Sequence, residues 1–105
     1  MTFKAVILLS RRVDMTRDEF RNWWLHEHAP LAAQLPGVRR MVFNTVEPDD
    51  DIDGVAELWF DSEADFTAAY ATPLGVRVAA DSMAHVRSRV RLFASEHMVA
   101  GEPGR

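Results

Sequence analysis

The run from Ala5 to Leu9 is apolar on both alternating faces of an extended chain. A strand of that kind is buried on both sides, so Phe3 to Ser10 reads as a strand covered above and below. From Thr16 the period changes. Thr16 and Glu19 have capping-box spacing, and Met15 can pack onto Phe20 as a staple. Phe20, Trp24, His28, Leu31 and Leu35 then follow 4-4-3-4 spacing, which places one apolar stripe on a helix from Arg17 to about Leu35. A histidine sits inside that stripe. Pro30 cannot donate to the carbonyl of His26, so the helix should kink or split near His26 to Ala29. Pro36-Gly37 ends it.

Val38 to Val46 reads as a second strand. Pro48 and the aspartates at 49, 50, 51 and 53 make a solvated turn, and Val55 to Phe60 is a third strand. Ser62 caps a helix through about Ala71, with Asp65 at the third helical position. Thr72-Pro73 separates it from a shorter helix, Leu74 to about Ala84. A long last strand runs from Val86 to Val99. The order β-α-β-β-α-β predicts a ferredoxin-like α+β sandwich, an antiparallel sheet with helices on one face. The first strand needs cover on the other face too. The same face of a second copy supplies it, giving a two-fold homodimer whose sheets form an α/β barrel. Residues 1–100 are read as a single domain and 101–105 as a flexible tail.

Composition narrows the function. The 105 residues contain no cysteine, which removes disulfides, thiolate nucleophiles and Cys-type metal sites. A net charge of -4 argues against binding nucleic acid through non-specific phosphate contacts. The longest apolar run is far too short for a membrane span, and no signal-peptide pattern opens the chain. A cytoplasmic protein with no membrane partner is expected. Asp49, Asp51, Asp53 and Gly54 imitate the start of a calcium loop, but Phe60 stands where the bidentate glutamate belongs. His26 and His28, two apart, do not face each other on a helix, and no metal-binding spacing appears. No nucleotide motif is present, so no cofactor is expected.

His28 is the strongest candidate for chemistry, because its charge changes nearest neutral pH. It reads either as a general acid/base in a pocket or as a core histidine packed on Trp24. Strand alternation puts Val55, Glu57 and Trp59 on one face and Ala56, Leu58 and Phe60 on the other. Glu57 could orient His28 or bind a ligand; it could equally pair with an arginine inside the dimer. Arg87, Arg89 and Arg91 share one face of the last strand, and Arg40 and Asn44 one face of the second. These suit an anionic ligand or structural ion pairs. Trp24, Trp59, Phe43 and Phe93 could wall an aromatic ligand or simply fill the core.

The ordered set of motifs resembles the EthD domain family, within the dimeric α/β-barrel superfamily. It consists of Glu19-Phe20-Arg21, Trp23-Trp24, His28-Ala29-Pro30-Leu31, Leu35-Pro36-Gly37, the block Asp53 to Phe60, and Glu96-His97-Met98-Val99. One departure is that Asp81-Ser82, then Met83, Ala84 and His85, stand where members often carry Asp-Glu and an aromatic. The resemblance implies a small cofactor-independent isomerase, decarboxylase or dehydratase acting on a cyclic or aromatic metabolite. It points to His28 as the catalytic group, with Glu57 assisting. Trp24, Trp59, Leu31, Phe43, Asn44, Arg91 and Phe93 would hold the substrate. The alternative is a non-catalytic binding or accessory protein for a hydrophobic metabolite in a catabolic or polyketide-type pathway. A haem-handling role with His28 and His97 as ligands rests on the superfamily alone.

Overall fold

Alternation along the strands sorts the side chains into two faces. The computed structural model describes residues 2–47 and 51–101. Four strands, β1 (Phe3–Arg11), β2 (Arg40–Thr45), β3 (Gly54–Phe60) and β4 (Val86–Ala94), pair antiparallel in the order β2-β3-β1-β4. Four helical pieces cover one face: α1 (Arg17–Trp23), α2 (Ala29–Ala32), α3 (Glu63–Ala71) and α4 (Pro73–His85). This is the ferredoxin-like α+β arrangement, with α3 and α4 sharing the second helical slot. Thr72 divides them: its hydroxyl accepts from the Gly75 N–H at 3.0 Å, and Pro73 needs no partner at the first helical position.

Ala5, Ile7 and Leu9 of β1 and Ala56, Leu58 and Phe60 of β3 are buried in one core with Phe20, Trp23 and Trp24. The opposite face carries Lys4, Val6 and Leu8, registered against Trp59, Glu57 and Val55. On β4, Val90 and Leu92 stand on that face at 43% and 49% exposure. At about 25 cal/mol per Å² of apolar area, the helix-covered face supplies most of the folding drive.

Thr16 and Glu19 form the expected capping box, with bonds of 3.1 and 2.7 Å. The long first helix is interrupted. Residues Trp24–His28 form a π-turn, in which the Ala29 N–H reaches five residues back to the carbonyl of Trp24. Pro30 lies just beyond it and has no N–H to continue an α-helical ladder, so the distortion falls where the proline predicts it. The last strand is shorter than the sequence pattern suggests. Its ladder ends at Lys4↔Ala94, because β1 offers no partner beyond, and Met98 and Val99 are exposed.

Asp53 corrects the reading of a solvated turn. Its carboxylate is fully buried and accepts from the Arg11 N–H at 2.9 Å and the Arg11 guanidinium at 2.6 Å, with Arg17 Nε at 3.6 Å. Its own N–H donates to the Leu9 carbonyl at 2.8 Å. These bonds fix the start of β3, where Gly54 lies against the Trp24 ring. A Cβ at Gly54 would come within 2.6 Å of that ring. The Asp-Gly pair thus seats the tryptophan that begins the π-turn. Pro48, Asp49 and Asp50 of the predicted turn, and residues 102–105 of the predicted tail, lie outside the described residues.

Candidate active site

The π-turn changes which residues share a face. An extra residue in the turn re-phases the helix, so Trp23, outside the predicted stripe, is buried together with Trp24. Trp23 and His28, five residues apart, come to lie 5.0 Å between ring centroids. On its other side Trp23 stacks on His85 at 4.2 Å and 14°. Trp24 stacks on Phe43 of β2 at 4.3 Å and 8°.

His28 is 4% exposed and both ring nitrogens have partners on α4. Nδ1 lies 2.8 Å from Oδ2 of Asp81, and Nε2 lies 3.2 Å from the Ser82 hydroxyl. The Trp23 indole N–H donates to the same Asp81 oxygen at 3.2 Å. His85 Nδ1 lies 2.8 Å from the Asp81 carbonyl and 3.5 Å from its other carboxylate oxygen. Asp81 is therefore held from three directions and in turn fixes the His28 ring.

Charge sets the tautomer. Burial pushes the His28 pKa below its ordinary value; Asp81 opposes the shift, while His85 and Arg89 add to it. A neutral imidazole beside a carboxylate carries its proton on Nδ1, since a carboxylate only accepts. Nε2 is then the basic nitrogen, and the Ser82 O–H donates to it. This is how a carboxylate orients a histidine base.

The ring borders a cavity between the helices and the sheet. It leaves about 20 Å³ for a water-sized molecule, within a recess of about 340 Å³. The smaller figure is room for a single water, so a ring-sized ligand enters only if the walls part. Trp24, Met41, Phe43, Tyr70, Ser82 and Arg89 are among those walls.

Of the residues expected to act together, the fold brings Trp24 and Phe43 to His28 and separates the others. Glu57, Trp59 and Asn44 are corrected to the opposite face of the sheet. Glu57 accepts from Lys4 at 2.9 Å and from Asn44 at 3.0 Å, so it does not orient His28. Trp59 lies between the cations of Lys4 and Arg40 at 4.7 and 4.6 Å, and its N–H donates to Glu96 at 2.7 Å. The cause is strand period: odd-numbered residues of β3 point away from the helices. Arg91 and Phe93 share His28's side of the sheet but sit outside the cavity walls. Arg91 lies over the Phe66 and Phe93 rings at 5.6 and 4.8 Å, and Phe93 packs on Phe3 at 4.9 Å. Leu31 is half-buried against the core and is likewise not a wall. Sequence reasoning missed Asp81, Ser82, Tyr70 and Arg89 as neighbours of His28. The available signal was Asp81 four residues before His85 on one helix face.

This geometry belongs with a family match. The EthD domain model matches residues 12–87, and the chain is a member of the EthD family. An EthD family protein from Bacillus halodurans c-125 is similar at 22% identity, with a TM-score of 0.81, 92% of this chain and 100% of that chain covered. A dimeric protein of unknown function and ferredoxin-like fold from Bacteroides fragilis NCTC 9343 is similar at 16% identity and TM-score 0.73, covering 90% and 96%. SnoaB, a cofactor-independent oxygenase from Streptomyces nogalater, is similar at 20% identity and TM-score 0.74, covering 96% and 98%. At these identities the solved structures establish the fold. No curated protein matches the sequence. Among the described residues no helix is long and apolar enough to cross a membrane.

Proposed function

We propose that this EthD-family chain is a small cofactor-independent enzyme that isomerises, decarboxylates or dehydrates a cyclic or aromatic metabolite, with His28 as general acid/base. The carrying observation is the 2.8 Å contact between His28 Nδ1 and Asp81, which leaves Nε2 as the base at the cavity. Nε2 takes a proton from an acidic carbon beside a carbonyl, and the C–H electron pair moves to the carbonyl oxygen as an enolate. The imidazolium, stabilised by Asp81, returns the proton to another carbon in an isomerisation or to a departing hydroxide in a dehydration. A proton carrier whose pKa lies below its ordinary value stays unprotonated at neutral pH and is ready to accept. The likeness to a cofactor-independent oxygenase supports chemistry in this fold without a bound group.

A second copy of the chain belongs to the same reading. Val90 and Leu92 stand exposed beside Val6 and Leu8 on the uncovered face, a patch of the kind that marks a protein contact. The dimeric ferredoxin-like relative supports a two-fold pairing through it. Cytoplasmic location is part of the proposal.

The test begins with a thermal-shift screen of cyclic ketones and hydroxylated aromatics against wild type and His28→Ala. Turnover of any hit should be abolished in His28→Ala while its binding changes far less, since a proton carrier acts mainly on the transition state. Unchanged turnover in that variant would make this a binding protein.

A further inference from the structure

The cavity walls are apolar except at two places. One is His28 with Ser82. The other is Tyr70 of α3 with Arg89 of β4. Arg89 is registered against Leu9, on the helix-covered face of the sheet. It is half-buried, and among the described residues no carboxylate forms a salt bridge with it. Its charge is felt at His28, whose pKa it lowers. A guanidinium in an apolar recess without a counter-charge attracts an anion more strongly than it would in water.

Tyr70 adds a donor. Its side chain is hydrogen-bonded to Arg89, and burial pushes its pKa up, so the phenol keeps its proton. Arginine has no acceptor. The Tyr70 oxygen therefore accepts from Arg89, and its own proton is left to donate elsewhere. A separate observation points the same way. Trp24, another wall of the cavity, has a buried Nε1 with no acceptor among the described residues. Buried donors without acceptors are rare and mark a place for water or a ligand.

We infer that the cavity binds a planar ring compound through an anionic oxygen, an enolate or phenolate, held by the Arg89 guanidinium and the Tyr70 hydroxyl within the same recess as His28. This rests on the His28 reading and specifies its substrate class. Removing a proton from carbon moves charge onto the carbonyl oxygen, and Arg89 with Tyr70 receives that oxygen. Arg89 and Tyr70 are thus specificity-determining residues of the site.

The test uses 4-nitrophenolate, a planar ring with a delocalised oxyanion, and nitrobenzene, the same ring without it. Calorimetry is run on the full chain at a pH where the nitrophenol is ionised. Wild type should prefer the phenolate by about tenfold or more, the factor expected for a charge-assisted hydrogen bond. Arg89→Gln should remove the preference. Tyr70→Phe, which keeps the ring packing, should reduce it and serves where Arg89→Gln fails to fold. His28→Gln should retain it. Failure of wild type to bind the phenolate, or equal preference in wild type and both cavity variants, overturns the inference. The readout is binding, so it fails separately from the His28 reading. Turnover that depends on His28, alongside phenolate binding indifferent to Arg89 and Tyr70, would sink the anion site alone.

Discussion

On the helix-covered face of the sheet, a neutral histidine is held between Asp81 and Ser82 in an apolar recess, with Arg89 nearby and no carboxylate paired to it. On the other face, Glu57 accepts from Lys4 and Asn44, while Trp59 is sandwiched by Lys4 and Arg40 and bonded to Glu96. Both faces set aromatic rings beside charges. The inner set leaves a base, a cation and an indole N–H with capacity to spare, which is what a substrate needs. The outer set consumes its own charges in local pairs among half-buried valines and leucines, which suits a surface laid against a second copy. Residue type does not separate a site from an interface here. Unspent hydrogen-bonding capacity next to a cavity does.

The largest expected effect tests whether the two tryptophans differ as their faces do. Trp24 is fully buried among rigid neighbours, so Trp24→Ala should cost about 3–5 kcal/mol in urea unfolding. Trp59 is covered by the flexible stems of Lys4 and Arg40, which can settle into the gap. Trp59→Ala should cost about 1–2 kcal/mol. Equal losses would break the distinction between the faces.

Next comes the base. His28→Gln should lower turnover by about 10²–10⁴-fold, the range for a removed general acid/base, and cost about 1–3 kcal/mol from two lost buried hydrogen bonds. A turnover number within threefold of wild type, about the noise of such a comparison, would remove His28 from the chemistry.

The same residue sets a pH dependence. Its folded pKa lies below the ordinary histidine value because burial disfavours the charged ring. The unfolded chain then binds the proton more readily than the folded one. Stability should be full above the unfolded pKa and fall as pH drops through it, until the folded pKa is reached. Chemical denaturation across mildly acidic pH should show that slope in wild type and a shallower one in His28→Gln. An identical slope in both would assign the acid sensitivity elsewhere.

The outer face gives a smaller effect, read in assembly rather than activity. Wild type should sediment at about twice 11.9 kDa at micromolar concentration. Leu92→Glu, at 49% exposure on that face, should shift it toward monomer with little loss of fold. A wild-type monomer would remove the barrel pairing.

The sequence made the sheet legible because its signals are local. The doubly apolar β1, the Thr16–Glu19 cap and the break at Pro30 each act within a few residues. It also exposed the split of β3 into two faces, but the choice of face for the site needed the register to β1. His28, Trp24 and Phe43 were readable as candidates. Asp81 was not, because its partner is 53 residues away and only the docking of α4 on the π-turn brings them together. The π-turn itself was the second obstacle. A stripe counted at 3.6 residues per turn loses phase at one inserted residue, so Trp23 fell off the predicted face.

Glu57 supplies the finest division between the two faces. Read from the strand pattern it was a partner for His28; in the fold it is a partner for Lys4. Its pKa is lowered, first by the hydrogen bond from Lys4 and further by that from Asn44. The sign gives a contribution present above the ordinary carboxylate pKa and lost as pH falls through the lowered one. With side chains 15% and 27% exposed, the pair is only partly shielded, so Glu57→Gln should change stability by about 1 kcal/mol or less. Turnover should be unaffected, because no Glu57 atom lines the His28 cavity. Steady-state kinetics of Glu57→Gln beside His28→Gln makes the comparison direct. A tenfold fall in kcat for Glu57→Gln, with dimer and melting temperature intact, would show that the outer face reaches the chemistry after all. The site would then have to be rebuilt around both faces of the sheet.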